Sequence, residues 1–456
     1  MSEKYYHGHT VAFPWGGSIL EFSLPESWTV LGELEPAVIP EPPDLFEACR
    51  KALSQPIATT RLADRNLSTA KVTIVVDDHT RPTPVAEFLP VILEELEKAN
   101  CNDANISFLL ANGVHRRTTP EEAKQKLGTR ILDLYEWTCH DAYDPSNLVD
   151  FGRTSRGTPI KLNRRLVESD LVLLVGAVEP HLLLGYGGGL KMVIPGCAGA
   201  DTIAANHLQG VEPDRFDFVG ATAEDSPMRQ DLEEGALLPG NKYFIINTVF
   251  NYNGRPTAFF CGHPLEAHRK AQELVQKISM VEIPQPADIV LANSFPGDSD
   301  LRQSIKCIGN SLYASKPGGV LLGTVFCKHG LGEIPIPRIT LPYPFLRSLV
   351  KVIGKHRIIK LVQRIKRGEP EEEVFVTNFG LNMLRRNHIG LYSKHLDAGY
   401  GRKLGLAMVF NEIDSWLSWA RKKAKQDATI WIFPHGGVSF ARLSKPAIGS
   451  QNRSQP

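Results

Sequence analysis

Several large functional classes leave marks that this chain of 456 residues does not carry. Its seven cysteines (Cys49, Cys101, Cys139, Cys197, Cys261, Cys307 and Cys327) are odd in number, scattered and never spaced CxxC. That spacing argues against a disulfide framework and against a structural zinc site. No stretch reaches the roughly eighteen consecutive apolar residues that a membrane-crossing helix requires. The opening residues, MSEKYYHGHTVAFPWGG, have no apolar h-region, which argues against a secretory signal. Charge of one sign is lacking as well: 51 basic against 50 acidic side chains leave +1, no excess to draw nucleic acid or a membrane surface. The expectation is a cytoplasmic protein with neither a nucleic-acid nor a membrane partner.

What is present is a recurring alternation. Short β-branched runs at Val72–Val76, Ile106–Leu110, Leu171–Val175 and Tyr243–Thr248 are separated by longer amphipathic segments. This predicts an α/β fold with a largely parallel, buried sheet, whose ligands bind in loops at strand C-termini. A helix over about Pro264–Lys277 runs into the proline-bearing VEIPQPAD, and the pattern restarts with strands at Ile289–Ala292 and Val320–Val325. Two α/β domains with an interdomain active-site cleft are therefore expected: residues 1–280, binding a cofactor, and residues 281–424. The strand Ile430–Phe433, within about 425–445, could return to the first domain. The proline-dense first 70 residues read as a small β entry, and the tail 445–456 as disordered. Seven Lys or Arg residues between Lys351 and Arg367, followed by EPEEE, read as a solvated helix and loop or as a mobile lid.

Chemistry concentrates in four loops. The stretch Glu179–His207 supplies His181, four glycines within five residues, then Lys191 and His207. The Walker spacing is not met, because Lys191 is followed by Met192, and GxGxxG does not fit. What remains is an anionic cofactor with Lys191 as point charge or covalent anchor, and His181 and His207 as metal ligands or acid/base groups. Asp77–Pro84 (DDHTRPTP) ends a strand with two carboxylates and Arg81, either a carboxylate- or phosphate-binding fork or a turn clasp of Asp78 and Arg81 with Thr80 as cap. In ANGVHRRTTPEE, His115 precedes a capping box at Thr119–Glu122 with Pro120 at the first helical position. Finally, Asp298–Cys307 places Arg302, Gln303 and Lys306 within about one helical turn, two cations and an amide suited to a carboxylate.

Taken together, over about residues 60–310, these loops resemble the nickel-pincer lactate racemase family, which acts on 2-hydroxy acids. The resemblance rests on His181, Lys191 and His207 at intervals of ten and sixteen, on DxTR at Asp78, Thr80 and Arg81, on GxHR at Gly113, His115 and Arg116, and on QxxK at Gln303 and Lys306. It implies a cytoplasmic isomerase whose pyridinium-3,5-bisthiocarboxylic acid mononucleotide holds nickel, is attached to Lys191 and is supplied by cofactor-maturation enzymes. By the same resemblance His207 completes the nickel coordination, and Asp78, Thr80, Gly187, Gly188 and Gly189 bind the cofactor. His115 and His181 become the paired acid/base residues, and Arg81, Gln303 and Lys306 hold the substrate carboxylate. C2 is then inverted by reversible hydride transfer to the cofactor.

One departure bears on the substrate. Where the lactate enzyme has an aromatic residue before the glutamine, this chain has Arg302. A cation there suits a 2-hydroxy acid more polar than lactate, such as malate or a sugar acid. Two other readings remain open. One is a metal-dependent hydrolase or lyase with zinc on His115, His181 and His207, which lacks any HExxH-like pair and leaves Lys191 unexplained. The other is a non-catalytic pincer-nucleotide binder.

Overall fold

A computed structural model describes residues 8–210, 218–332, 334, 342–354, 357, 380–401 and 405–444. Most of the basic stretch Lys351–Arg367 with its EPEEE, and the tail 445–456, lie outside the described residues. The fold is α/β, as the alternation predicts. An N-terminal hairpin pairs β1 (Thr10–Trp15) with β2 (Ser18–Ser23) and leads to β3 (Thr29–Glu33).

The first sheet contains β4 (Val72–Asp77), β5 (Ile106–Ala111), β6 (Glu136–Cys139), β7 (Leu171–Val178), β8 (Tyr243–Phe250) and β9 (Pro256–Gly262). Their spatial order is β9-β8-β7-β4-β5-β6, parallel except for β8 against β9. Successive side chains alternate between faces, so both faces need a core. Ile74, Val76, Leu173 and Val175 pack on one side with Phe88, Phe108 and Phe244. Val75, Val172 and Leu174 pack on the other with Leu190, Ile194 and Ile203. The second of these cores anchors the glycine-rich stretch directly under the sheet.

In the second sheet, β10 (Ala287–Asn293), β11 (Ser315–Thr324), β12 (His388–Tyr392), β13 (Met408–Phe410) and β14 (Thr429–Phe433) are joined by β3. The order is β13-β12-β11-β10-β14-β3, all parallel. The strand read at Ile430–Phe433 is followed by another, Phe440–Leu443, which pairs with Met280–Ile283. Ile430–Phe433 does not return to the first sheet; it is inserted between β10 and β3. The β entry likewise covers the second sheet, with Phe13, Trp15 and Phe22 packed among Ile430, Ile432 and Trp416. Hydrophobic alternation fixes which residues are buried but not which sheet a strand joins, because both sheets offer apolar faces of the same kind.

In each sheet the strand order reverses once. From β4 the chain builds outward to β5 and β6, then returns to place β7 on the other side of β4. From β10 it builds out to β13 and returns with β14. Crevices at such reversals, beyond the strand C-termini, are the ligand sites of open α/β sheets. The first crevice lies between the ends of β4 and β7, at Asp77–Asp78 and Val178–Glu179.

Candidate active site

After β4 the chain turns on its own carboxylates. Asp78 Oδ1 accepts from the Thr80 backbone amide at 2.9 Å and from its hydroxyl at 2.5 Å, closing the turn before helix α1 (Val85–Lys98). Beneath it, Thr83 Oγ1 donates to Asp77 Oδ2 at 2.5 Å, and the buried Lys126 ammonium sits against Asp77 and donates to the carbonyls of Arg81 (3.0 Å) and Thr83 (3.1 Å). Lys126 comes from helix α2 (Pro120–Leu127), which has the expected capping box at Thr119 and Glu122. The loop is thereby fixed from below.

His115 is brought to this loop from the end of β5. Gly113, at φ +55°, donates its amide to the Gly196 carbonyl at 2.9 Å, and Asn112 Nδ2 donates to the Arg116 carbonyl (2.8 Å) and Thr118 Oγ1 (3.0 Å). His115 Nδ1 then meets Asp78 Oδ2 at 2.6 Å. Burial alone would raise the Asp78 carboxyl. The hydrogen bond and charge of His115, together with Arg81 and Thr80, outweigh it and hold Asp78 well below the carboxylate range. An ionised carboxylate only accepts, so Nδ1 carries a proton, and in the neutral ring Nε2 is the nitrogen with the lone pair. Arg116 does not join the site; it forks onto Glu122 at 2.8 and 2.5 Å.

At the end of β7 stands Glu179, which the sequence reading did not single out. Its Oε1 accepts from Arg81 Nη1 at 3.1 Å and lies 3.8 Å from Lys306 Nζ. Burial raises this carboxyl, but Lys306, Arg81 and Lys191 pull it down to about 2. Lys306 opens helix α4 (Lys306–Ser311), one residue beyond helix α3 (Leu301–Ser304), and both follow β10 of the second sheet. Groups from both sheets thus converge on one carboxylate.

His181, two residues on, accepts at Nδ1 from the amides of Leu183 (3.3 Å) and Leu184 (3.2 Å), so its Nε2 carries the proton. Burial, then Lys191, Lys306, Arg81 and His207, hold His181 well below the ordinary imidazole value. In their neutral forms the two rings expose opposite chemistry at Nε2, a lone pair on His115 and an N–H on His181. Lys191 is held well below the usual ammonium range by burial and by Arg81 and Lys306, with Glu179 opposing. A depression in this direction favours the uncharged, nucleophilic form of the amine. His207 sits in the last turn of the helix Ala200–Gln209. Burial and Lys191 lower it to about 4 against a hydrogen bond with the Ile203 backbone, leaving the neutral imidazole a metal ligand requires.

Not every anticipated residue faces a ligand. Gly187 gives its amide to the Glu179 carbonyl (2.7 Å) and Gly189 gives its amide to Asn247 Oδ1 (2.9 Å). Gly188 has φ +72°, and a Cβ there would stand 2.6 Å from the Ala177 carbonyl oxygen. Two of the three glycine amides expected at the cofactor are therefore engaged within the fold, and the Thr80 hydroxyl is engaged by Asp78. Arg302 lies close enough for its charge to oppose protonation of Lys306 and His207, while Gln303 shares its short helix, its amide capped by Asp300 Oδ1 at 3.0 Å. Among the described residues no three His, Cys, Asp or Glu side chains form a group able to hold one ion, so His115, His181 and His207 do not make a zinc cage. No described helix is long and apolar enough to cross a membrane.

Comparison with known proteins agrees with this arrangement. Residues 15–216 match the model of the lactate racemase N-terminal domain. The chain is 33% identical over 326 residues to a lactate racemase of Thermoanaerobacterium thermosaccharolyticum, covering 71% of this chain and 75% of that protein. It is 30% identical over 291 residues to a lactate racemase of Lactiplantibacillus plantarum, covering 63% and 67%. The structure of the T. thermosaccharolyticum lactate racemase apoprotein superposes with a TM-score of 0.81 at 27% identity, over 95% of this chain and all (100%) of that one. A Thermotoga maritima protein shares the fold at a TM-score of 0.63 and 21% identity, over 90% and 100% of the two chains. The crevice at β4 and β7, its two histidines and its half-buried lysine thus belong to a chain of the lactate racemase family.

Proposed function

We propose that this protein is an isomerase that inverts C2 of a 2-hydroxy acid in the cleft between two α/β domains divided near residue 280. The observation that carries the reading is the meeting of Arg81 and Lys306 on one carboxylate, Glu179, beside His115 and His181 of opposite tautomer. An internal carboxylate already marks where a substrate carboxylate finds its partners. Fixing that carboxylate while the reacting carbon becomes planar allows either face to be re-entered.

His115, its Nδ1 proton held by Asp78, takes the C2 hydroxyl proton at Nε2. His181 delivers a proton from Nε2 on the opposite side, and the two exchange roles in the reverse direction. A proton on C2 of a hydroxy acid is too weakly acidic for imidazole, so the hydrogen leaves as hydride. The residues fit a nickel-pincer nucleotide: Lys191 supplies a half-buried amine for covalent attachment, and His207 a neutral imidazole for a metal that no group of the described side chains cages by itself. When bound, that group supplies the hydride acceptor. Enzymes that build the nucleotide are then required partners. Arg302 near Lys306 supports a substrate with a second carboxylate or several hydroxyls. Arg302→Tyr is expected to shift preference from malate or gluconate-type acids towards lactate; unchanged preference would remove that part of the reading.

Intact mass and nickel analysis of protein co-produced with a pincer-building pathway test the assignment. A covalent adduct absent from Lys191→Ala, with nickel lost from His207→Ala, is expected. Folded wild-type protein with neither adduct nor nickel would overturn it.

A further inference from the structure

The loop Gly185–Lys191 links His181 to Lys191, and its glycines make it the stretch with the most conformational freedom to lose. Gly185, Gly188 and Gly189 all lie at positive φ (+74°, +72° and +60°). Something outside the loop has to select this one conformation. Successive carbonyls are each occupied. Gly185 accepts from the Gly220 amide at 3.0 Å, Tyr186 from Nη2 of Arg229, and Gly187 from Nε2 of His268 at 2.7 Å. The His268 ring also closes the space over Gly189, where a Cβ would come within 2.8 Å of it.

Behind these contacts lies a polar network that links two helices. Arg229, fully buried, belongs to the helix Pro227–Leu237, and His268, 1% exposed, to the helix Glu266–Ser279. Arg269 Nη1 donates to His268 Nδ1 at 3.2 Å and forks onto Glu233 at 2.8 and 2.6 Å. Glu233 in turn lies 3.7 Å from Arg229 Nη1, joining the two arms. Since a carbonyl only accepts and a guanidinium only donates, His268 is fixed as the neutral Nε2–H tautomer. Burial, with Arg229 and Arg269 nearby, holds it well below the ordinary imidazole value, consistent with that state. Arg229 Nε and Nη1 find no hydrogen-bond partner among the described residues, so this guanidinium is buried at a cost that its bond to Tyr186 and the charge of Glu233 offset only in part, which makes it an unusual means of closing a plain turn.

We infer that Arg229 and His268, joined through Glu233 and Arg269, form a two-armed clamp on the Tyr186 and Gly187 carbonyls that positions Lys191 for covalent attachment of its cofactor. These are positioning residues, acting through the loop, and the inference rests on the reading of Lys191 as the anchor. Preorganisation of this kind matters because displacement by about 1 Å costs on the order of a hundredfold in rate.

Two readouts on the full chain test it. Hydrogen–deuterium exchange of the peptide 182–192 is measured in unloaded protein, and the rate of Lys191 adduct formation by intact mass during pincer loading. In His268→Leu, loop exchange is expected to quicken and loading to slow, each by at least about tenfold. His268→Gln, which restores a donor near the Nε2 position, is expected to recover most of both, and Glu233→Gln to fall between. Val91→Ala, a core change on the far face of the first sheet chosen for an equal loss in Tm, is expected to alter neither. If His268→Leu does not fold, Glu233→Gln against Val91→Ala decides. Loop exchange at the wild-type rate in the folded clamp variant, equal quickening in Val91→Ala, or unchanged loading despite a loosened loop would each overturn the clamp. An adduct that persists in Lys191→Ala, or never forms in wild type, would instead remove the anchor role, leaving exchange to decide whether the loop is held.

Discussion

At the scale of single residues, the Asp78–His115 pair and Glu179 make the sharpest demands. Asp78 was expected to contact the cofactor; its geometry makes it the group that sets the tautomer of His115. Asp78→Asn would leave His115 free to protonate at Nε2, and racemisation is expected to fall by about 10²-fold or more with nickel retained. Turnover and metal content measured together check this. Glu179 moves from 4.5 to about 2 on folding, worth about 3 kcal/mol of stability at neutral pH. Its folded value is depressed, so this contribution is present above about pH 4.5 and is lost as pH falls towards about 2. Glu179→Gln should therefore lower stability in denaturant melts by about 3 kcal/mol at pH 7 and converge on wild type at acid pH. His181 is depressed by burial first and Lys191 next. Removing that charge in Lys191→Met is expected to raise its titration, so that more imidazolium persists at a given pH, as read by NMR of the ring.

At the scale of elements, most strands and their terminal loops were legible because buried parallel strands are continuous β-branched runs, as at Val72–Asp77 and Leu171–Val178. The capping box at Thr119 was readable for the same local reason. The role of the glycines was not. The resemblance gives them to the cofactor, whereas Gly187 and Gly189 spend their amides on Glu179 and Asn247, and Gly188 packs against Ala177. Asn247, His268 and Arg229 could not be found by motif, since they arrive from β8 and from two helices far along the chain. The presence of Arg229 beside Met228 and Leu232, and of His268 beside Ala267 and Ala271, on the buried helix faces was the one available signal. Gly188→Ala, forced to positive φ against a backbone oxygen, is expected to cost at least about 2 kcal/mol, measured by chemical denaturation.

For the whole molecule, connection rather than pattern decided the outcome. β3 and β14 lie together at one side of the second sheet although about 400 residues separate them, and no local signal encodes that pairing. The same topology places Lys306, following β10, against Glu179, following β7, so the candidate site draws on both sheets. Deleting residues 425–456 removes an internal strand of the second sheet, and limited proteolysis should then show that sheet digested while peptides of β4–β8 survive longer. The central claim is that C2 loses and regains hydride rather than a proton. It is tested most directly by racemising a 2-hydroxy acid deuterated at C2 in ordinary water with the loaded enzyme. Inverted product that keeps its C2 deuterium is the predicted result; inverted product in which solvent hydrogen has replaced it would contradict the account.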